Sequence, residues 1–400
     1  MNILQVNKFF YMKGGSERYF FDISAALERA GHTVVHFSMK HPQNNPSRYS
    51  NYFIDEIDFQ QHKTLSKAVH FLYSTEAAQK IRKLVLDTQP DIAHLHNISH
   101  QLTPSIIFTL KSMGIPIVQT VHDFQLICPN YQLFTEKNIC ERCKYHRYWN
   151  AIKHRCVQQS TIGSSLSAFE MTMHQCILRS YKTGVDRFIS PSRFLQNTLV
   201  EWGWDRSKIV YIPHFVRKMH QLPVKKKNQV VFVGRLVFGK GAHVLLHAAR
   251  HISKDIQIIF AGEGEEKIAL QAYAKKHQLT HCQFVGFLQG KALHTLIQES
   301  RAMIVPTLLY ENAPLVIYES LALGVPVIAS RHGGCIELVN EGRTGFFFTP
   351  GKEKELADTI QRVIYTPSLQ IPENQYTEAL HLQRIIQLYE DILQKKDNNV

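Results

Sequence analysis

Three short stretches of this chain put groups together that could handle a phosphorylated substrate. Val233-Gly234-Arg235-Leu236 is followed by Lys240-Gly241. An arginine at a strand end and a lysine in the same glycine-containing loop offer two cations to a diphosphate. They would also neutralise the charge that develops on a departing nucleoside diphosphate. A solvated basic loop is the plain alternative. Tyr310-Glu311-Asn312-Ala313-Pro314-Leu315 precedes Glu319, with seven residues between the two glutamates. Pro314 suits a first helical position, so the N–H groups of Leu315 and Val316 could face a phosphate. Glu319, one turn further in, could accept hydrogen bonds from ribose hydroxyls. A lone glutamate near a helix start is more simply a partner of the helix dipole. Lys13-Gly14-Gly15-Ser16 lets the backbone approach a ligand at a helix N-terminus, although two adjacent glycines also make an ordinary turn. It is not the G-x-G-x-x-G of a dinucleotide site.

A fourth cluster points to a metal. Cys128-x11-Cys140-x2-Cys143-x12-Cys156 has a spacing compatible with a structural zinc tetrathiolate. Segment 128–156 has little apolar content to hold it together and carries Lys137, Arg142, Lys144, Arg147, Lys153 and Arg155, so a metal staple would help it most. Cys176, Cys282 and Cys335 are isolated and read as small apolar residues. His146 and His154 read as surface residues, so no open catalytic metal site is expected.

The elements that must position these groups follow an α/β pattern. Strands are expected at Ile3–Val6, Thr33–Phe37, Ile92–Leu95, Ile117–Val121, Arg187–Ser190 and Ile209–Ile212, interleaved with helical periodicity. Ser16 is the expected cap of a helix whose apolar face is Tyr19, Phe20, Ile23, Leu27 and Ala30, with Gly31 as its stop. After the basic, proline-containing stretch 213–228 the pattern restarts, at Val230–Gly234, Gln257–Ala261, Cys282–Val285, Ala302–Val305 and Val325–Ala329. Two doubly wound domains are expected, over 1–215 with the 128–156 insert and over 216–375, with a last helix within 376–400. Ligands of such sheets bind beyond the carboxyl ends of the strands, with the space between the two domains the default site.

Composition narrows the class. The chain has 400 residues, 44% of them hydrophobic and 20% charged, with a formal charge of +13. No apolar run reaches the ~20 residues of a membrane span, and Met1–Val6 lacks the features of a signal peptide. A cytoplasmic protein is expected, and its basic excess, spread over both halves, favours polyanionic partners. Seven cysteines do not suggest a disulfide framework.

Together these motifs resemble the family-four retaining glycosyltransferases. The resemblance rests on Glu311-x7-Glu319, Ala322–Ala329, Gly333-Gly334, Glu337–Val339 and Gly342-x2-Gly345. It extends to Val233–Arg235 with Lys240-Gly241, Ala261–Gly264, Phe284–Gly286, Gly14-Gly15, Pro90–Ile92 with His94 and His96, and Thr120–Asp123. It implies a GT-B fold of two Rossmann-like domains, with the last helix crossing back to the first. Arg235 and Lys240 would clamp the diphosphate, Glu319 would hold the ribose, and Glu311 would contact the donor sugar. Gly14 and Gly15 would face the diphosphate and His122 the far sugar hydroxyls. Glu263, Val285, Asn312, Pro314, Leu315 and Val316 complete the donor-side set. No catalytic metal is implied. Two departures stand out: His214-Phe215 replaces the usual Asn-Gly after Pro213, and Ile336 replaces a frequent proline.

The expected partners are a nucleotide-sugar, with UDP favoured over GDP, and a glycan or polyprenyl-linked acceptor at the inner face of an anionic membrane. Phe9-Phe10-Tyr11-Met12 is a candidate acceptor contact or a packed loop. A sugar phosphorylase and a zinc-stapled nucleic-acid-binding protein are the competing classes; the latter leaves the two glutamates unexplained.

Overall fold

The computed structural model describes residues 1–56, 71–217, 219, 224–365, 369, 371 and 376–397. The chain forms two compact units: Met1–Leu133, Glu141–His214 and Glu378–Val400 make the first, and Phe134–Cys140 with Phe215–Thr377 the second. The hairpin Phe134–Cys140, inside the expected insert, is thus grouped with the second unit.

The first unit contains β1 (Asn2–Val6), β2 (Thr33–Phe37), β3 (Ile92–Leu95) and β4 (Ile117–Thr120). The short β5 (Phe134–Thr135) and β6 (Asn138–Ile139) form the hairpin, and β7 (Arg187–Ser190) and β8 (Ile209–Tyr211) complete the first sheet. Its order is β2-β1-β3-β4-β7-β8, with every pairing parallel. The second unit contains β9 (Gln229–Val233), β10 (Gln257–Ala261), β11 (Cys282–Gly286), β12 (Ala302–Val305), β13 (Val327–Ser330) and β14 (Gly345–Phe348). They pair in the order β11-β10-β9-β12-β13-β14, again all parallel. The strand at Gly345–Phe348 was not expected, because its glycine and three phenylalanines show no period.

Alternation explains why these strands are apolar throughout. Val230, Phe232, Ile258, Phe260 and Ile304 belong to one core cluster, whereas Val231, Ile259, Met303 and Val305 belong to another. Successive side chains of a strand point to opposite faces, so a sheet covered by helices on both sides must be apolar at every position.

Both sheets contain a reversal of strand order, between β1 and β3 in the first and between β9 and β12 in the second. Loops leaving the carboxyl ends at such a switch point diverge and leave a crevice. The loops after β1, β9 and β12 carry the glycine and charge motifs.

Two local expectations are corrected. Helix Gly15–Arg29 begins two residues early, with Gly14 at its cap; Ser16 lies inside it and its hydroxyl donates to Glu17. Helix Leu315–Ala322 starts after Pro314, which is its cap rather than its first residue. The final helix is Glu378–Asp397 and packs within the first unit, where Arg29 pairs with Glu378 at 2.6 Å.

Candidate active site

In the second unit the loops leaving β9, β10, β12 and β13 are fastened to one another. The carbonyl of Gly239 accepts the N–H groups of Leu308 and Leu309 and the hydroxyl of Thr307. Leu236 donates to the Glu263 carbonyl and accepts from the Glu266 N–H. Gly241 sits at φ +72°, and a Cβ there would meet the Pro306 carbonyl oxygen at 1.8 Å. Only glycine permits both the turn and the contact. The β13 loop closes the ring: Gly334 donates to the Glu311 carbonyl at 2.7 Å, and a Cβ on it would fall 1.7 Å from the Asn312 carbonyl oxygen.

This scaffold brings Lys240 and Glu311 together at 2.5 Å, both largely withdrawn from solvent. Arg235 is exposed and its guanidinium has no partner among the described residues. Glu319 is buried on helix Leu315–Ala322. At the head of that helix the first satisfied donor is Ile317, bonded to the Pro314 carbonyl. The N–H groups of Leu315 and Val316 have no partner among the described residues, as an anion-binding helix start requires. Asn312 is buried. Glu263 pairs with Lys267 at 2.6 Å and lies against Gly286, where an added Cβ would be 3.2 Å from its Oε1. Val285 beside it is exposed. His332, missed by the sequence reading, accompanies the ring: its Nε2 lies 2.9 Å from the Thr307 carbonyl, and burial holds the imidazole below its usual pKa.

The first unit offers hydrogen bonds rather than charges. His94, His96, His122, His214 and His381 pack around Tyr19 and Tyr389. Burial lowers all five imidazoles: His94 and His122 to about 3 and His381 to about 4, His96 and His214 well below the usual value. They are therefore neutral at physiological pH, and the hydrogen bonds assign the tautomers of His96 and His122. The Gln5 amide nitrogen is directed at the Tyr389 hydroxyl and His94, which leaves Gln5 Oε1 to accept from His96 Nε2 at 2.8 Å. The lone pair of His96 is then on Nδ1, 3.0 Å from His122 Nε2. His122 donates there and so carries its proton on Nε2.

Beside His122, burial pushes the Asp123 carboxyl up to about 6, against the N–H of Gln125 and the charges of Lys8 and His100. Loss of hydration, helped by Lys13, lowers the Lys8 ammonium. Gly14 and Gly15 stand at the head of helix Gly15–Arg29. Phe9–Met12 divides: Phe10 is buried against Phe20, Phe21 and Phe53, whereas Lys13 covers the Phe9 ring and Met12 is exposed. Sequence reading assigned no role to Gln5, Lys8 or His381, and placed Tyr19 only on an apolar helix face; nothing in it marked Tyr389 as a hydrogen-bonding partner. His214, noted as a departure at the hinge, packs 4.4 Å from Tyr19.

Among the described residues no three or more His, Cys, Asp or Glu side chains are gathered as a metal ion needs, and no cysteine is in a disulfide. Cys128, Cys143 and Cys156 are in the first unit whereas Cys140, on the hairpin, is in the second. The contiguous chain that suggested a knuckle is divided between two packing environments.

Comparison with known proteins decides the family. Residues 13–218, more than half of the chain, match Glycosyltransferase Family 4, and residues 217–379 match Glycosyl transferases group 1. The chain belongs to these glycosyltransferases. It is 25% identical to a glycogen synthase of Mycobacterium tuberculosis over 380 residues, covering 89% of this chain and 83% of that one. Among solved structures it is similar to the sucrose-phosphate synthase of Thermosynechococcus elongatus, with a TM-score of 0.73, 18% identity and coverage of 98% and 99%. It is also similar to Anabaena HepE in complex with UDP and glucose, with a TM-score of 0.68, 17% identity and coverage of 98% and 100%. The two parallel sheets, flanked by helices, are those of a GT-B glycosyltransferase.

Proposed function

We propose that this glycosyltransferase moves a sugar, with retention of configuration, from a nucleoside diphosphate, UDP before GDP, to a glycan or polyprenyl-phosphate-linked acceptor. The observation that carries the reading is the second unit's ring of loops, which sets Lys240, Glu311, an exposed Arg235 and two open helix N–H groups around one switch point. Such a set suits a diphosphate whose charge grows as the glycosidic bond breaks. Glu319 takes the ribose hydroxyls, and Glu263, Val285 and Gly286 border the base. Glu311 and Lys240 pair with each other; on donor binding the ammonium turns to the phosphate and Glu311 to the sugar. By the family resemblance, His122 contacts the sugar's far hydroxyls. The bond from the anomeric carbon to the phosphate oxygen breaks while the acceptor oxygen bonds to the same face of that carbon. The acceptor proton passes to the departing phosphate oxygen, and Arg235 and Lys240 take up the remaining charge. This chemistry calls for no metal, and the action belongs at the cytoplasmic face of a membrane, in the making of surface polysaccharide.

Slow hydrolysis of UDP-glucose and other nucleotide-sugars, followed by proton NMR, tests the proposal. Free UDP and the α anomer appearing first support it. A first-formed β anomer contradicts retention. Sugar phosphate formed only with added inorganic phosphate points instead to a phosphorylase.

A further inference from the structure

One helix of the first unit is built inside out. Helix Thr161–Met171 runs into a π-helical turn, Thr172–Ile177. Its inward face carries Ser164, Ser167, Glu170, His174 and Gln175 beside Ala168 and Met171, all buried. Of these, Glu170 lies 3.3 Å from His100, and His174 bonds to Ser180 and the Leu72 carbonyl. The outward face carries Ile162, Leu166, Phe169, Met173 and Ile177, at spacings of three to four residues along the helix. Ile162 is 53% exposed, Phe169 53% and Ile177 63%. A helix on the surface of a water-soluble protein shows the reverse arrangement, and a contiguous apolar stripe on a surface marks something that covers it.

The charges around the stripe say what covers it. From Arg142 to Lys182 the chain carries seven Lys or Arg and a single acid, Glu170, which is turned inward. Arg142, Arg147, Lys153, Arg155 and Arg179 are exposed. The 161–171 helix packs on helix Trp149–Lys153, and the 172–177 turn packs on Lys144–His146. The exposed rings of Trp149 and Tyr145 therefore stand on elements adjoining the stripe. An apolar stripe, aromatic residues beside it and a basic surround form the pattern of a helix lying in a lipid interface. Among the described residues no helix is long and apolar enough to cross a membrane.

We infer that the 161–177 helix docks the protein on an anionic lipid bilayer, with Ile162, Phe169 and Ile177 in the acyl boundary and the basic residues on phosphate headgroups. The inference deepens the acceptor half of the proposed function, since a polyprenyl-linked acceptor would be presented at such a surface, but its observations are independent of the donor site.

The test is sedimentation of the whole protein with phosphatidylglycerol–phosphatidylcholine vesicles, beside a Phe169→Ser/Ile177→Ser double variant and a Lys153→Gln/Arg155→Gln variant. Both pairs are exposed, so the variants should fold; thermal melts and UDP titration check this and keep the donor reading separate. The wild type should bind the anionic vesicles, and the apolar double variant should bind about tenfold or more weakly. The basic variant should lose affinity mainly at low salt. Wild-type protein that stays in the supernatant would overturn the inference, as would a Phe169→Ser/Ile177→Ser variant that sediments equally well. A dimer in light scattering that this variant turns into monomer would assign the stripe to a second copy of the chain instead.

Discussion

The two candidate faces of this glycosyltransferase use opposite electrostatics. The second unit keeps ions: Arg235 is exposed, and Lys240 and Glu311 are paired at 2.5 Å. The first unit keeps five neutral imidazoles, of which His94, His96 and His381 bond to Gln5, Tyr19, Thr120 or Tyr389. The difference follows from what each would have to do. A leaving diphosphate gains charge and needs cations, which act most strongly where water is excluded. Sugar hydroxyls do not ionise; they need acceptors of fixed direction, and a neutral imidazole with an assigned tautomer is one.

The largest test removes the cations. Lys240→Ala and Arg235→Ala should each lower turnover by about 100- to 1000-fold, measured as UDP release; a tenfold loss or less would mean that charge is not the second unit's contribution. Next comes the hydrogen-bond relay of the first unit. Gln5→Met removes the acceptor of His96 and with it the constraint on His122, so turnover should drop by about tenfold while UDP affinity holds. Nitrogen-15 NMR of the His122 ring should show its proton on Nε2 in the wild type; a proton on Nδ1 would break the comparison.

A smaller effect separates the units by pH. Burial depresses the folded-state pKa values of the five histidines, so their contribution to stability is complete above the unfolded value of about 6.5 and is lost as pH falls towards about 3 to 4. Asp123, raised to about 6, acts in the opposite sense but is a single group. The three tryptophans, Trp149, Trp202 and Trp204, all belong to the first unit. Tryptophan fluorescence should thus report a melting temperature lower by about 5 °C or more at pH 5 than at pH 7. An unchanged value would show that the cluster is solvated. The smallest effect is at the surface. Glu378→Ala breaks a half-exposed pair with Arg29 and should cost less than about 1 kcal/mol in denaturant melts.

Legibility in the sequence followed the same division. Strands with apolar runs and glycine-flanked ends, such as Val230–Gly234, could be read because fully buried parallel strands must be apolar on both faces. Lys240 and Glu311 could be found from motif spacing, since each sits directly after a strand. Their pairing could not, because it depends on Gly241 and Gly334 admitting loops from distant strands. The histidine cluster was hidden for a different reason. Gln5, His94, His96, His122, His214 and His381 come from β1, β3 and its end, the residues after β4 and β8, and the last helix, and polar residues in core positions carry no periodic signal of their own. Cysteine spacing gave no hint that the hairpin bearing Cys140 is grouped with the second unit. The inside-out helix had a readable stripe, Ile162 to Ile177, but its period alone points to a core face; only its exposure reverses that meaning.

The most direct test of the central claim, that the charged face holds a nucleoside diphosphate, is calorimetric titration of UDP, GDP, ADP and inorganic phosphate into the wild type and Glu319→Ala. The account predicts that a nucleoside diphosphate, UDP foremost, binds far more tightly than phosphate, with the affinity lost in Glu319→Ala while the melting temperature holds. Folded protein that binds no nucleotide, or binds phosphate as tightly as UDP, would contradict it.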